Sequence, residues 1–380
     1  MVLIKVMIVM METGFLTSKI IEMFINIDDK ILLQMKWWLY MSSVGSRLKK
    51  LREEHGYSQR QVAEYLEIDQ SNLSKIENDR RNLNWLLSDK LLALYNCTPE
   101  YLLGKTDGYE KSKISFKSAR DLDLNVIAHI NRLSANLTIL RKYESGKEFN
   151  NFPKLNMNFK RNWGIDEFSP VNMFNLLSYK IPNLTISWFP MKSSVCGCYF
   201  KKNHDSIILL NSTHTRGRQN FTLAHELYHL LDNKENFVVC SEKNQEETEI
   251  KADEFASDFL LSECALYDYM DSNNIEEWSI NDVIKCEQYF RLDHRNFIGR
   301  LYSQGFITGD QFAELSFNIF DKAAGLGYDT SLYESNHKDN QYYSIGHMIP
   351  LTERLYNEKK LTKGVRKDIL LDLFRQDIVY

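Results

Sequence analysis

The clearest chemistry in this chain lies in His225-Glu226-Leu227-Tyr228-His229. Residues four apart share one face of a helix, so both imidazoles point the same way. Two such rings can grip one Zn2+, and the Glu beside them can reach a water on that metal. A catalytic zinc takes three protein donors and keeps one position for water, so a third donor must come from elsewhere. The competing reading is an amphipathic helix that carries two surface imidazoles and no ion.

The stretch 242–261 offers the third donor. Ala252, Phe255, Ala256, Phe259 and Leu260 recur at helical spacing and form an apolar face. Glu249 stands one turn before Asp253 on that helix. A carboxylate donor followed by a second carboxylate is useful, because the second can orient a ligating imidazole through its other ring N–H. Glu246, Glu247 and Glu254 compete for the role, and an acidic run is also what a solvated helix face looks like.

Other elements must hold these residues in place. The pattern predicts a helix over 166–180 and strands over 184–189, 197–201 and 205–210, with a hairpin turn at Lys202-Asn203-His204. A loop over 211–218 leads to the His helix, which opens at Phe221 and packs Leu223, Leu227, Leu230 and Leu231 on the sheet. A helical pair comes next, over 283–302. Residues 311–380 read as helical at both ends, with a polar stretch over 328–343 and a basic patch at Lys359, Lys360, Lys363, Arg366 and Lys367.

Two segments carry a family resemblance. They are Phe221-Thr222-Leu223-Ala224-His225-Glu226-Leu227 with His229, and Glu249 with Ala252-Asp253, Phe255-Ala256 and Leu260-Leu261. Together they resemble the ImmA/IrrE family of zinc metallopeptidases, over roughly residues 170–310. The resemblance implies a zincin-like fold and assigns the third donor to Glu249. It departs at Tyr228, where Gly is frequent, and at Ser262-Glu263, where Pro is common. The implied mechanism has His225, His229 and Glu249 holding Zn2+ while Glu226 acts as general base and Asp253 sits behind a ligand. Tyr199, His214 and Tyr228 are unranked candidates for steadying the oxyanion.

The front of the chain has a different pattern. Helices are expected from Gly45, from Gln59 to Leu66 behind a Ser58 cap, from Gln70 to Asn78, from Leu83 to Tyr95 and from Pro99 to Leu103. A helix, a tight turn and a polar-faced helix suit the major groove of DNA. Leu48-x-x-Leu51-Arg52, Ser58-Gln59-x-x-Val62-Ala63, Ser71-x-x-Ser74-Lys75-Ile76-Glu77 and Tyr101-Leu102-Leu103-Gly104 resemble the Xre/Cro-type helix-turn-helix family. By that pattern Gln59 meets phosphate, while Gln70, Ser71, Asn72, Ser74 and Lys75 face the groove. Acidic residues balance basic ones here, so Arg47, Lys49, Lys50, Arg60, Lys75, Arg80 and Arg81 must gather on one face for tight binding.

Size and composition bound the rest. The chain has 380 residues, a formal net charge of −4 and six Cys without a CxxC pair. That excludes a disulfide scaffold and a global pull toward polyanions, and it suits reduced thiols in a cytoplasmic protein. No stretch has the length of a membrane span. The apolar run 1–11 lacks a signal-peptide layout, and Met41-Ser42-Ser43 directly precedes the front domain, so Met41 is the expected start. The expected fold is multidomain and mostly α: a five-helix helix-turn-helix domain, an α+β zincin-like domain with a small antiparallel sheet, and a helical C-terminal region. The expected boundaries are 1–40 extension, 43–107 helix-turn-helix, 108–165 linker with a helix, 166–310 peptidase-like and 311–380 C-terminal. The partners expected are a double-stranded DNA operator and a protein substrate, itself a repressor, with the chain pairing as a homodimer. The resemblance implies a regulator that cuts a partner repressor in a stress or mobile-element switch. The rival is a repressor or antitoxin whose peptidase-like domain senses or docks without turnover.

Overall fold

The computed structural model describes residues 44–106, 122–144, 159–202, 204–232, 237–241 and 246–379. Expectations about residues 1–40, the start at Met41, the polar tether over 107–121 and most of 145–165 fall outside these or at their margins. The chain divides into two units, 1–111 and 112–380.

Among its described residues the front unit has five helices: α1 (Val44–Glu54), α2 (Gln59–Leu66), α3 (Gln70–Glu77), α4 (Trp85–Tyr95) and α5 (Pro99–Leu102). The Ser58 side chain accepts from the Gln61 N–H while the Gln61 side chain accepts from the Ser58 N–H, so two otherwise orphaned donors start α2. Glu67, at φ 58°, then turns the chain sharply into α3. Leu48, Leu51, Val62, Leu73, Ile76, Leu91 and Leu94 close the core. Beneath it Arg52 grips Glu77 with two hydrogen bonds, of 2.7 and 3.1 Å. Arg47, counted among the basic residues expected at the surface, is not exposed. It is buried, donates to the Tyr101 carbonyl at 3.1 Å and lies over the Tyr101 ring.

In the second unit, α6 (Leu124–Tyr143) precedes α7 (Phe159–Asn162), α8 (Met173–Lys180), β1 (Leu184–Phe189), β2 (Val195–Lys202) and β3 (Asp205–Asn211). Then come α9 (Arg216–Asp232), β4 (Phe237–Ser241), α10 (Glu247–Leu260), α11 (Glu263–Ser272), α12 (Ile280–Phe290) and α13 (His294–Ser303). The chain closes with α14 (Gly309–Ser316), α15 (Ile319–Gly325), β5 (Tyr343–Gly346), α16 (Met348–Asn357) and α17 (Lys363–Asp372).

The sheet is mixed, in the order β4-β2-β3-β1-β5, which corrects the expectation of an antiparallel one. β1 runs parallel to β3, and the other neighbours are antiparallel. The loop after β1 carries the chain past the end of β3, so β3 returns between β1 and β2. Asn211 fixes that loop by donating to the Lys192 and Val195 carbonyls and accepting from the Met191 N–H.

Other expectations also shift. The helix expected over 166–180 starts only at Met173, because Pro170 disfavours helical backbone before it and Asn172 caps the shorter helix α8. The His helix begins at Arg216, about a turn before Phe221. The 108–165 linker contains a helix that belongs to the body of this unit. The α6 residues Val126, Ile130, Leu133, Leu137 and Leu140 are buried, and α6 packs on α16 and α17. Its Arg141 also donates at 2.6 Å to Asp205, and its Arg132 and Asn136 donate to Asp372. The region over 311–380 likewise supplies a sheet strand, β5, which begins at the last residue of the polar stretch over 328–343. No helix among the described residues is long and apolar enough to cross a membrane.

Candidate metal centre

α9 is buried on nearly every side, as a helix must be when it lies under a sheet with other helices packed on its remaining faces. Leu223, Leu227 and Leu230 belong to the core. The start of α9 is fixed by polar contacts. Gln219 accepts from the Trp188 indole N–H at 2.8 Å and donates to the His214 carbonyl, and Asn220 donates to the Arg291 carbonyl. Gly197 of β2 allows the helix close to the sheet. A Cβ there would lie 2.7 Å from the Leu209 carbonyl oxygen, 3.0 Å from Thr222 and 3.4 Å from Glu226.

On this helix the Nε2 atoms of His225 and His229 stand 3.1 Å apart. Glu249 reaches across from α10, with one oxygen 3.3 Å from His225 Nε2 and the other 3.2 Å from His229 Nε2. On the far side of His225, Nδ1 lies 2.7 Å from the Asp253 carboxylate. Glu246 and Glu247 are at the exposed start of α10, and Glu254 is exposed too, so none of these competitors reaches the imidazoles. Glu226 is fully buried; no N–H or O–H group donates to its oxygens, and the Cys240 thiol lies against them.

The electrostatics follow from burial and pairing. Burial alone would depress the His225 pKa, but hydrogen bonds to Asp253 and Glu249 lift it to about 9. Burial would raise Glu249, and the two imidazoles instead pull it to about 2. Burial pushes Glu226 above the ordinary carboxylate range, against the pull of His229 and His225.

Three donors of the N, N, O type, about 3 Å apart and buried, fit a tetrahedral cation of zinc's size, with donors at about 2.0–2.2 Å. A buried acid beside them, met by no N–H or O–H donor, fits the same ion and its reacting water. One donor was not visible in the sequence. Cys240 of β4 brings its sulfur within 4.8 Å of donor atoms on His225, His229 and Glu249. The apolar run Phe237-Val238-Val239 was the available hint of that strand, but its register against β2 had no local signal.

The candidates for the oxyanion differ in position. Tyr199 is wholly buried, and burial raises its pKa to about 12. His214 binds the Ser193 carbonyl at 2.9 Å, away from the imidazoles. Tyr228 packs edge-on against His229 and beside Phe255, so it borders the centre. Ser262, where the related pattern has Pro, caps α11 by accepting from the Ala265 N–H.

Residues 192–292 match the family model for the IrrE N-terminal-like domain, and residues 48–102 match the helix-turn-helix model. The chain joins a helix-turn-helix domain to an IrrE N-terminal-like domain. The IrrE-like match includes His225, Glu226, His229, Cys240, Glu249 and Asp253. Among curated relatives, the HTH-type transcriptional regulator ImmR of Bacillus subtilis (strain 168) is 42% identical over 71 residues. That match covers 19% of this chain and 56% of ImmR, so it spans little more than half of the relative. No solved structure matches the chain.

In the helix-turn-helix domain, Gln70, Ser71 and Lys75 are exposed on α3, while Asn72 and Ser74 are half-buried. Asn72 accepts from Arg81 at 2.7 Å. Gln59 donates to Glu77 at 2.9 Å, so the buried Arg52–Glu77 pair also positions the first residue of α2.

Proposed function

We propose that this chain is a DNA-binding transcriptional regulator whose IrrE-like domain is a zinc-dependent endopeptidase. Its substrate is a partner protein, a repressor, in a stress or mobile-element switch. The observation that carries the reading is the convergence of His225, His229 and Glu249 beside the buried carboxyl of Glu226. His225, His229 and Glu249 would hold the metal, and Asp253 would orient His225 through Nδ1. Bound zinc acidifies a water and polarises a peptide carbonyl. Glu226 accepts the proton of the attacking water and returns it to the leaving amine nitrogen, a task suited to a carboxyl raised by burial. Gln70, Ser71, Asn72, Ser74 and Lys75 of α3 would face the operator's major groove, and Gln59 its phosphate. Such work places the protein in the cytoplasm.

A second reading keeps the regulator and removes turnover: a repressor or antitoxin whose IrrE-like domain docks or senses. Its support is that the curated relative is named a transcriptional regulator. One experiment separates the two. Wild-type and Glu226→Gln proteins are loaded with zinc and incubated with the product of any neighbouring repressor gene. The peptidase reading expects equal zinc and cleavage by wild type alone. Equal cleavage by both removes Glu226 from the mechanism, and an intact partner in both supports the second reading.

A further inference from the structure

Catalysis in a mononuclear zinc site needs one position that protein donors leave open. Three donors already converge from α9 and α10. A fourth comes from the opposite wall, where Cys240 stands on β4 directly across from Gly197 of β2. Because partners in a ladder share a face, Cys240 points, with the missing side chain of Gly197, toward Glu226 on α9. Its sulfur lies within 4.8 Å of donor atoms on all three other residues, and the residue is buried. In a tetrahedral site with metal–nitrogen distances near 2.0 Å and metal–sulfur near 2.3 Å, donors sit roughly 3.3–3.7 Å apart, so a shift of about an ångström completes the set. The second observation is Glu226: fully buried, met by no N–H or O–H donor, and engaged by the Cys240 thiol.

We propose that Cys240 is a fourth protein donor, which closes the resting metal centre until docking of the protein substrate itself displaces the sulfur. The proposal rests on the metal-centre reading and adds its regulation. On coordination the S–H bond breaks, the sulfur pair forms the bond to the metal, and the proton passes to the Glu226 carboxylate. That transfer occupies the base needed for hydrolysis, so one event fills the open position and disarms the acid–base group. Withdrawal of the sulfur reverses both. A protein substrate that pulls β4 off β2, or a reagent that alkylates the thiol, would therefore activate the centre.

Cobalt(II) reconstitution of the full chain tests this. Wild-type protein should bind one cobalt with a near-ultraviolet sulfur-to-cobalt charge-transfer band and the visible spectrum of a four-coordinate ion. Cys240→Ser should bind one cobalt, lose that band and show weaker visible absorption from a site that has admitted solvent. Cys240→Ala is the second variant should Ser itself ligate. Cobalt bound without the band in wild type overturns the proposal and leaves the metal reading standing, as does a band that persists in both variants. Wild-type protein that binds no cobalt or zinc removes the metal reading and the proposal together.

Discussion

In the proposed centre protons and zinc would compete for His225, so binding should weaken as pH falls. In the metal-free centre its pKa is about 9. This is a raised value, so below about pH 9 the ring carries a proton that the metal must displace, and above it there is none. Each pH unit below the pKa then costs tenfold in apparent affinity, or about 1.4 kcal/mol. From pH 9 to pH 7 the loss is about 100-fold, roughly 2.7 kcal/mol. Glu249, held at about 2, stays ionised throughout and adds no slope. The measurement is a chelator competition for zinc between about pH 6 and pH 10, in the Cys240→Ser background so that no thiol proton enters. The logarithm of the association constant should rise with a slope of about one and flatten near pH 9. Asp253→Asn removes a negative partner of the ring and should move the break to lower pH. A flat profile below neutrality, or an unmoved break in the Asn variant, refutes the reasoning.

Three other perturbations have defined outcomes. Gly197→Ala places a methyl 2.7 Å from the Leu209 carbonyl oxygen, so urea denaturation should show a loss of about 1–3 kcal/mol. The same change should lower cleavage more than zinc content, since Glu226 is among the atoms it crowds. Arg141→Ala strands the buried Asp205 carboxylate and should destabilise the second unit by about 3–5 kcal/mol, with less further loss when Asp205→Asn is added. Lys75→Ala with Gln70→Ala should abolish salt-dependent duplex binding in gel shift and leave zinc content unchanged; unaltered binding would remove α3 from the interface.

The parts of this architecture that are local in sequence were legible there. The spacing of His225 and His229 needs only one helix, and Ser58 with Gln61 marks a helix start in four residues. Glu249 was harder: periodicity offered several acids, and the family pattern singled out one. Cys240 was missed because its placement depends on how β4 registers against β2, a pairing that leaves no periodic trace. The parallel partnership of β1 and β3 was missed for the same reason, since alternation reports burial and not strand direction. β5 has four residues, Tyr343-Ser344-Ile345-Gly346, in a polar neighbourhood, and it becomes a strand through the edge that β1 offers. The helix expected within 108–165 is there as α6, and its packing had no local signal because the body it packs on comes from the far C-terminal helices.

β5 also sets an order of events during synthesis. A ribosome releases the histidine helix and four of the five strands well before the residues that cover β1. Until those emerge, the outer rim of β1 presents bare N–H and C=O groups to any extended peptide nearby. A message truncated before the codon for Tyr343 would therefore yield a chain with its imidazoles in hand and a sticky flank, prone to clumping. A tag fused behind the last helix is the safer handle for purification, because it selects only molecules whose translation has passed that point.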